Sequence, residues 1–285
     1  MTRPPPPRSV PLAADDLQTV CAFIYRHTGM IFGESKRYYI ERRLQERLST
    51  TKSRDFSSYF NLLRSNREER EQLINAFTVN ETYFYREEHQ LACLSRALLP
   101  DLSAARTPGD KIRIWSVPCS TGEESYSIAL WLLENWRMVD AYNIEIIGSD
   151  IDTDALSAAR EGTYGERALA RLPASVVEDY FETIGPGAWR IVKDLRESVT
   201  FTTANLVDET SLAGLGTFDV IFCRNLLIYF DEQSRLTAAD NLYAKLNPAG
   251  YLCLGHTESM SRISARFVVR RFDEAIVYQR PGRGA

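Results

Sequence analysis

Lys111-Ile112-Arg113-Ile114-Trp115-Ser116-Val117-Pro118-Cys119-Ser120-Thr121-Gly122-Glu123-Glu124-Ser125-Tyr126-Ser127 is the stretch whose reading decides the fold. Ile112, Ile114 and Val117 supply an apolar strand run, and Pro118 stops it. Ser120 and Thr121 are helix-capping residue types, and Gly122 lets the backbone turn sharply. From Ser127 to Trp136 apolar residues recur at helical spacing. A strand that feeds a helix through a glycine turn opens a nucleotide-binding α/β sheet. Ligands of such sheets sit beyond the carboxyl ends of the strands.

The loop narrows the ligand. Dinucleotide folds use three glycines so that a pyrophosphate can approach a helix N-terminus. This loop has one glycine, followed by Glu123 and Glu124. Carboxylates at a helix start suit the helix dipole but repel phosphate. The expected ligand is therefore cationic or free of phosphate, and S-adenosylmethionine fits, with its ammonium, sulfonium and ribose hydroxyls. Taken alone, the two glutamates could equally serve only the helix dipole. The missing GxGxxG loop argues against a dehydrogenase.

Working outward from that unit, the pattern predicts strands over 144–149, 199–204, 218–223, 251–254 and 275–279, and helices over 152–160 and 232–246. Asp150 ends the second strand, where such sheets hold ribose hydroxyls. Its separation from Gly122 (150 − 122 = 28 residues) exceeds the roughly 20 of dinucleotide folds because the first helix is longer. Glu124, Asp150, Asn205 and Asn225 follow successive strands and should converge on one rim. Residues 163–198 break the βα rhythm. A short helix (173–181), the turn Gly185-Pro186-Gly187 and a strand (189–192) read as an inserted small β-subdomain.

Towards the N-terminus the periodicity changes. Helices are predicted over 14–28, closed by Gly29, and over 35–49, with Ile40, Leu44 and Leu48 as the buried stripe. A third should run from an Asp55 cap to 63, and a fourth over 68–77. The result is an all-helical domain over 13–78, a polar and aromatic linker over 80–87, and an α/β domain over 79–285. A helix over 87–99, closed by Pro100, leads into the sheet. Residues 1–12 read as a disordered proline-rich tail without the apolar core of a signal peptide. From Lys36 to Arg54 there are seven basic and two acidic residues, a local +5 in a chain of net charge −4. Lys36, Arg43 and Arg47 share a sector beside the apolar stripe, which points to an anionic partner.

Composition sets the outer limits. The 285 residues, 44% hydrophobic, suit one large domain with a smaller one. The net charge argues against a general nucleic-acid coat. Five scattered cysteines without CxxC spacing give neither a metal site nor a disulfide framework, so a reducing compartment is expected. No apolar run reaches membrane-spanning length.

Five motifs then identify a family. Cys119-Ser120-Thr121-Gly122-Glu123-Glu124-Ser125-Tyr126-Ser127, Ser149-Asp150-Ile151-Asp152, Phe222-Cys223-Arg224-Asn225-Leu226-Leu227-Ile228-Tyr229-Phe230, Asn80-Glu81-Thr82-Tyr83-Phe84-Tyr85-Arg86-Glu87 and Gly255-His256-Thr257-Glu258-Ser259 resemble, in order, those of the chemotaxis receptor methyltransferases, the CheR family. The resemblance covers nearly the whole chain after the proline tail. It implies a Rossmann-like class I S-adenosylmethionine-dependent methyltransferase sheet that forms glutamate methyl esters on methyl-accepting chemotaxis receptors and releases S-adenosylhomocysteine. Carried over motif by motif, Asn80, Thr82, Arg86, Glu124, Asp150, Asn205, Leu206, Arg224 and Asn225 would hold the cofactor. Arg86 and Tyr229 would lie nearest the methyl group. Lys36, Arg43 and Arg47 would face the acidic methylation helices of the receptor's cytoplasmic domain. Such an enzyme is cytoplasmic and meets membrane receptor arrays only by association, without direct membrane insertion. The short turn at Gly185-Pro186-Gly187 reads as tether-independent, without a receptor C-terminal docking peptide.

Two other classes compete with that expectation. A methyltransferase of RNA or of a small molecule is disfavoured, for RNA by the acidic catalytic half and the lack of an aromatic-basic motif. A non-catalytic S-adenosylmethionine-binding scaffold in a chemosensory complex would keep the cofactor rim but would have no use for Arg86 and Tyr229.

Overall fold

The computed structural model of the chain describes residues 13–282, so the tail expected over 1–12 lies outside the described residues. The chain divides between Val79 and Asn80 into two compact units. The first is helical: α1 (Ala14–Thr28), α2 (Arg37–Thr50), α3 (Phe56–Ser65) and α4 (Arg67–Phe77). Gly29 closes α1 in the left-handed region at φ 74°, which a glycine adopts without strain. Asp55 caps α3 in a reciprocal capping box with Ser58, and the Asn66 side chain caps α4. Each cap is worth about 1 kcal/mol. Leu17, Val20, Ile24, Ile40, Leu44, Leu63, Leu73 and Phe77 form the core of this unit. Each such buried side chain contributes about 1.5–3 kcal/mol.

The second unit carries a seven-stranded sheet and a small three-stranded one. In chain order the strands are β1 (Lys111–Ser116), β2 (Asn143–Asp150), β3 (Thr163–Gly165), β4 (Phe181–Gly185), β5 (Ala188–Ile191), β6 (Val199–Thr203), β7 (Phe218–Cys223), β8 (Leu246–Leu254), β9 (Val268–Arg271) and β10 (Ile276–Gln279). The large sheet has the order β6-β2-β1-β7-β8-β10-β9. Pairings from β6 through β8 are parallel, whereas β10 runs antiparallel to both β8 and β9. The order reverses between β1 and β7, so their carboxyl ends form the crevice where ligands of open α/β sheets bind. This is the class I methyltransferase sheet that the motifs imply. The inserted subdomain is the antiparallel sheet β3-β5-β4.

Among the described residues, no helix is long and apolar enough to cross a membrane. α7 (Glu123–Asn135) packs on the large sheet, with α5 (Glu88–Cys93), a π-helical turn (Leu94–Leu98) and α6 (Leu99–Ser103) preceding β1. The remaining helices are α8 (Thr153–Glu161), α9 (Glu166–Leu169), α10 (Ala174–Tyr180), α11 (Lys193–Ser198), α12 (Glu209–Leu212) and α13 (Glu232–Lys245). Two glycines permit the close packing of α7. A Cβ on Gly148 would stand 2.6 Å from Ser125 Oγ. One on Gly122, at φ 95°, would stand 2.9 Å from Ala159 Cβ.

Several expectations need correction. Pro100 does not end its helix: it falls in the first turn of α6, directly after the wider π turn. That turn relieves the clash a proline makes with the preceding turn's carbonyl. α7 starts at Glu123, and neither Ser120 nor Thr121 caps it. Ser120 Oγ donates instead to Asn80 Oδ1 (2.8 Å), and Thr121 Oγ1 to Glu123 Oε2 (2.6 Å). Phe181 begins a strand rather than ending a helix, and β3 and β9 were not anticipated, being three and four residues long.

Candidate active site

The rim at the carboxyl ends of β1, β2, β6, β7 and β8 brings most of the expected residues together, each through a hydrogen bond that the local fold dictates. Asp150 ends β2 and is almost fully buried. Its Oδ2 accepts from Ser120 N (2.7 Å) and its Oδ1 from Asp152 N (2.9 Å). Burial pushes its carboxyl up to about 6, against the pull of those amides. Asp152 N-caps α8, and its other oxygen accepts from Asn80 Nδ2 (2.7 Å). Asn80 thus ties the linker to both the Ser120 loop and the start of α8. The end of β6 is joined to the same corner by Ala204 N donating to Asp150 O (3.0 Å). Asn205 Oδ1 then accepts from Val207 N (3.1 Å), and Leu206 is buried.

A second cluster forms around Arg224, at the end of β7. Its guanidinium is buried between two glutamates, with Nη1 3.0 Å from Glu124 Oε2 and Nη2 3.4 Å from Glu87 Oε2. Nη2 also donates to Arg86 O (2.7 Å), while Nε is buried without a partner. Glu124 Oε1 accepts from Ser116 Oγ (2.9 Å). Burial raises the Glu124 pKa, with Arg224 opposing. Burial also works against Glu87, but Arg224 and the bond to His256 outweigh it and its pKa falls. Gln90 Nε2 bridges Glu87 Oε2 (2.8 Å) and Leu254 O (2.7 Å). His256 Nδ1 lies 2.9 Å from Glu87 Oε1. Arg224 and Glu124 therefore enter the site as a mutually paired unit.

Arg86 Nη1 donates to Glu81 O (2.8 Å), and its guanidinium stands over Tyr83. Thr82 is part-buried nearby. Asn225 and Tyr229 follow β7, Tyr229 closing a 3-10 turn (Leu227–Tyr229). Tyr85, Glu87, Ser120 and Asn225 all have positive φ, four of the six such non-glycine residues described. Strained backbone is thus concentrated on this rim, as at sites where the surrounding structure enforces a geometry for function.

Glu87, Gln90, Ser116, Ser120 and His256 were not singled out from sequence as site residues. Glu87 and His256 stand in two of the quoted motifs, but their pairing spans 169 residues and no local pattern announces it.

In the helical unit the expected basic face is reduced. Arg47 is not available to a partner: its Nε and Nη2 reach Glu69 at 3.0 and 2.6 Å, and Tyr59 Oη donates to the same carboxylate at 2.7 Å. Its sector on the helical wheel faces α4, because Glu69 on that helix offers a buried bidentate acceptor. Arg43 packs over Tyr39 and pairs loosely with Glu46 (3.5 Å), and Lys36 is exposed. Arg47→Glu should therefore unfold this unit before it weakens any partner. Removing one partner of a buried pair costs about 3–5 kcal/mol, and calorimetry of the full chain should show an early-melting transition.

The residues present suit a cation-bearing ligand with hydroxyl groups. Buried carboxylates disfavoured by desolvation gain from an incoming positive charge, and Asp150 retains acceptor capacity for hydroxyls. Comparisons agree with that chemistry. Residues 80–276 match the family described as CheR methyltransferase, SAM binding domain, and residues 15–78 match CheR methyltransferase, all-alpha domain. Chemotaxis protein methyltransferase 2 of Vibrio cholerae is 48% identical over 92% of this chain and 91% of its own. Chemotaxis protein methyltransferase 2 of Pseudomonas aeruginosa is 36% identical over 92% of each chain. Chemotaxis protein methyltransferase 1 of V. cholerae is 33% identical over 95% of this chain and 98% of its own.

Proposed function

The chain belongs to the CheR methyltransferase family, and from that premise we propose that it methylates glutamate side chains in the cytoplasmic domain of methyl-accepting chemotaxis receptors, forming glutamate 5-O-methyl esters and S-adenosylhomocysteine. The observation that carries this reading is the charge of the rim. Three carboxylates, Glu87, Glu124 and Asp150, stand along it, and one buried guanidinium, that of Arg224, lies between the first two. Such a rim favours a cationic cofactor and repels phosphate.

When bound, S-adenosylmethionine supplies an activated methyl group on a sulfonium leaving group. Asp150 would hold the ribose, Glu124, Asn205, Leu206 and Asn225 would complete the pocket, and Asn80 and Thr82 would close it from the linker. Arg224 acts on the cofactor through Glu124, which it holds in place and whose charged form it favours against burial. The acceptor needs no general base, because a glutamate carboxylate with a pKa near 4.3 is already anionic at neutral pH. Catalysis then rests on alignment, worth about 7–11 kcal/mol when geometry is right. Tyr229 would align the acceptor by a hydroxyl bond, and Arg86 would place it without pairing so tightly that nucleophilicity is lost.

The test is methyl transfer from labelled S-adenosylmethionine to purified receptor cytoplasmic domains, read as base-labile methanol. Cofactor binding without methanol release across a broad receptor panel would overturn the assignment. We take 13–78 as the receptor-recognition domain and 79–285 as the methyltransferase domain, working in the cytoplasm. Lys36→Glu with Arg43→Glu should raise KM for the receptor about tenfold and leave the S-adenosylhomocysteine Kd unchanged, since several surface charges together set encounter with an anionic partner. The two-residue turn joining β4 and β5 supports action without a receptor-tail tether. Binding of a receptor-tail peptide in a pull-down would reverse that part.

A further inference from the structure

Glu258 stands outside the side chains assigned above to cofactor or acceptor. It lies in Gly255-His256-Thr257-Glu258-Ser259, just past the carboxyl end of β8, and its carboxylate turns back across the end of β7. Oε2 accepts from Asn225 N (2.8 Å) and Gly255 N (2.9 Å), and Oε1 accepts from Leu227 N (2.7 Å). Burial raises its pKa, while the amides of Asn225, Gly255, Leu227 and Ile228 oppose that rise. The surroundings are built for this approach. A Cβ on Gly255 would stand 2.8 Å from Glu258 Oε2 and 2.9 Å from Asn225 Nδ2. Asn225 sits at φ 59°, a left-handed conformation that costs energy and persists only when neighbours hold it. The turn that follows is pinned from its other side: Arg235 Nε donates to Leu227 O (2.9 Å), and Tyr229 N to Leu226 O (3.0 Å).

We propose that Glu258 is a positioning residue for methyl transfer, a single carboxylate that locks the backbone of Asn225 and of the turn carrying Tyr229 into one rigid edge. Cofactor contact and acceptor contact are then placed together. This rests on the roles given to Asn225 and Tyr229 in the proposed function. A charged carboxylate suits the task because both of its oxygens only accept, and three backbone donors converge on them. A glutamine would turn an N–H group towards at least one of those donors. An aspartate would fall one methylene short.

The experiment is steady-state methyl transfer by E258Q, Tyr229→Phe and the double variant, alongside S-adenosylhomocysteine binding and thermal melting. E258Q should lower kcat about 30-fold, in the range a roughly 1 Å misplacement produces, with receptor KM within about threefold of the parent. The double variant should lose no more than about threefold beyond the worse single variant, because both changes act on one contact. Losses that multiply in the double variant, or a kcat for E258Q within threefold of the parent, would overturn the proposal. Should E258Q fail to fold, Gly255→Ala keeps the charge while crowding the clamp. It should show the same kcat-led loss, and an unchanged kcat there counts against the proposal. The parent enzyme is assayed first. If it forms no glutamate ester, the acceptor assignment has failed, and the clamp is then read from cofactor binding alone. In that case E258Q should weaken S-adenosylhomocysteine about threefold or more through Asn225, and an unchanged Kd overturns it.

Discussion

Asp150→Ala should raise the Kd for S-adenosylhomocysteine by more than about 100-fold and remove methanol release. Hydrogen bonds to a charged group are worth about 1.5–3 kcal/mol each, and a carboxylate that holds ribose hydroxyls makes more than one. A loss of about 2.8 kcal/mol is already a hundredfold. The substitution also leaves the amides of Ser120 and Asp152 without their acceptor, so the loop that opens α7 loses its anchor. The pH dependence follows from burial. With the Asp150 carboxyl at about 6, affinity should weaken below pH 6, approaching tenfold per unit, as the carboxylate is protonated. The effect on stability has the opposite sign. Because the folded pKa lies above the ordinary 3.8, the contribution of Asp150 to stability is fully present below that value and is lost as pH rises through about 6. The cofactor-free enzyme therefore carries a buried carboxylate at neutral pH that the amides of Ser120 and Asp152 only partly offset, and a bound cation offsets it further. The Tm gain from S-adenosylhomocysteine, which lacks the sulfonium, should grow from pH 5 to pH 7.5 through its ammonium and ribose alone. The gain from S-adenosylmethionine should grow more steeply. A Tm gain independent of pH for both would remove Asp150 from the pocket.

What the sequence made legible were features that local chemistry controls. The periodicity of residues 14–28, closed by Gly29, matches α1 at both ends. The polar residues after β2 and β7 were legible because strand ends at a topological switch point face a crevice whatever the rest of the chain does. Elements written by long-range contact were not legible. Pro100 reads as a stop signal, and only the π turn before it explains its place inside a helix. The wheel position of Arg47 matched those of Lys36 and Arg43, and nothing local to α2 reveals that Glu69 awaits it on α4. Arg224 stands in a recognisable motif, yet its pairing with Glu87 across 137 positions makes it a holder of other side chains as much as a contact of its own.

That pairing sets the last expectation. Arg224→Ala should destabilise the methyltransferase unit by about 3–5 kcal/mol, the usual cost of stripping one partner from a buried ion pair. For a unit of this size that is a Tm lower by roughly 6–20 °C. The cost arises less from the lost guanidinium than from Glu87 and Glu124, which stay buried with no cation between them, and from Arg86 O, which loses its donor. The sign with pH distinguishes this from a simple cavity. The Glu124 pKa is already raised by burial, and removing Arg224 takes away the cation that opposes the rise. A raised carboxyl contributes stability below its unfolded pKa and loses it as pH climbs through the folded value. The deficit of the variant against the parent should thus be wider at pH 7.5 than at pH 5. A cavity would give the same deficit at both. Arg224→Met fills most of the volume without restoring charge, so it should follow the alanine variant in its pH dependence while recovering part of the packing. Adding Glu124→Gln to Arg224→Met should then recover stability at pH 7.5 without recovering cofactor binding. Thermal melts at two pH values across these variants separate charge from volume. If the double variant melts no higher than Arg224→Met, the ion pair is not what holds the ends of β1 and β7 together.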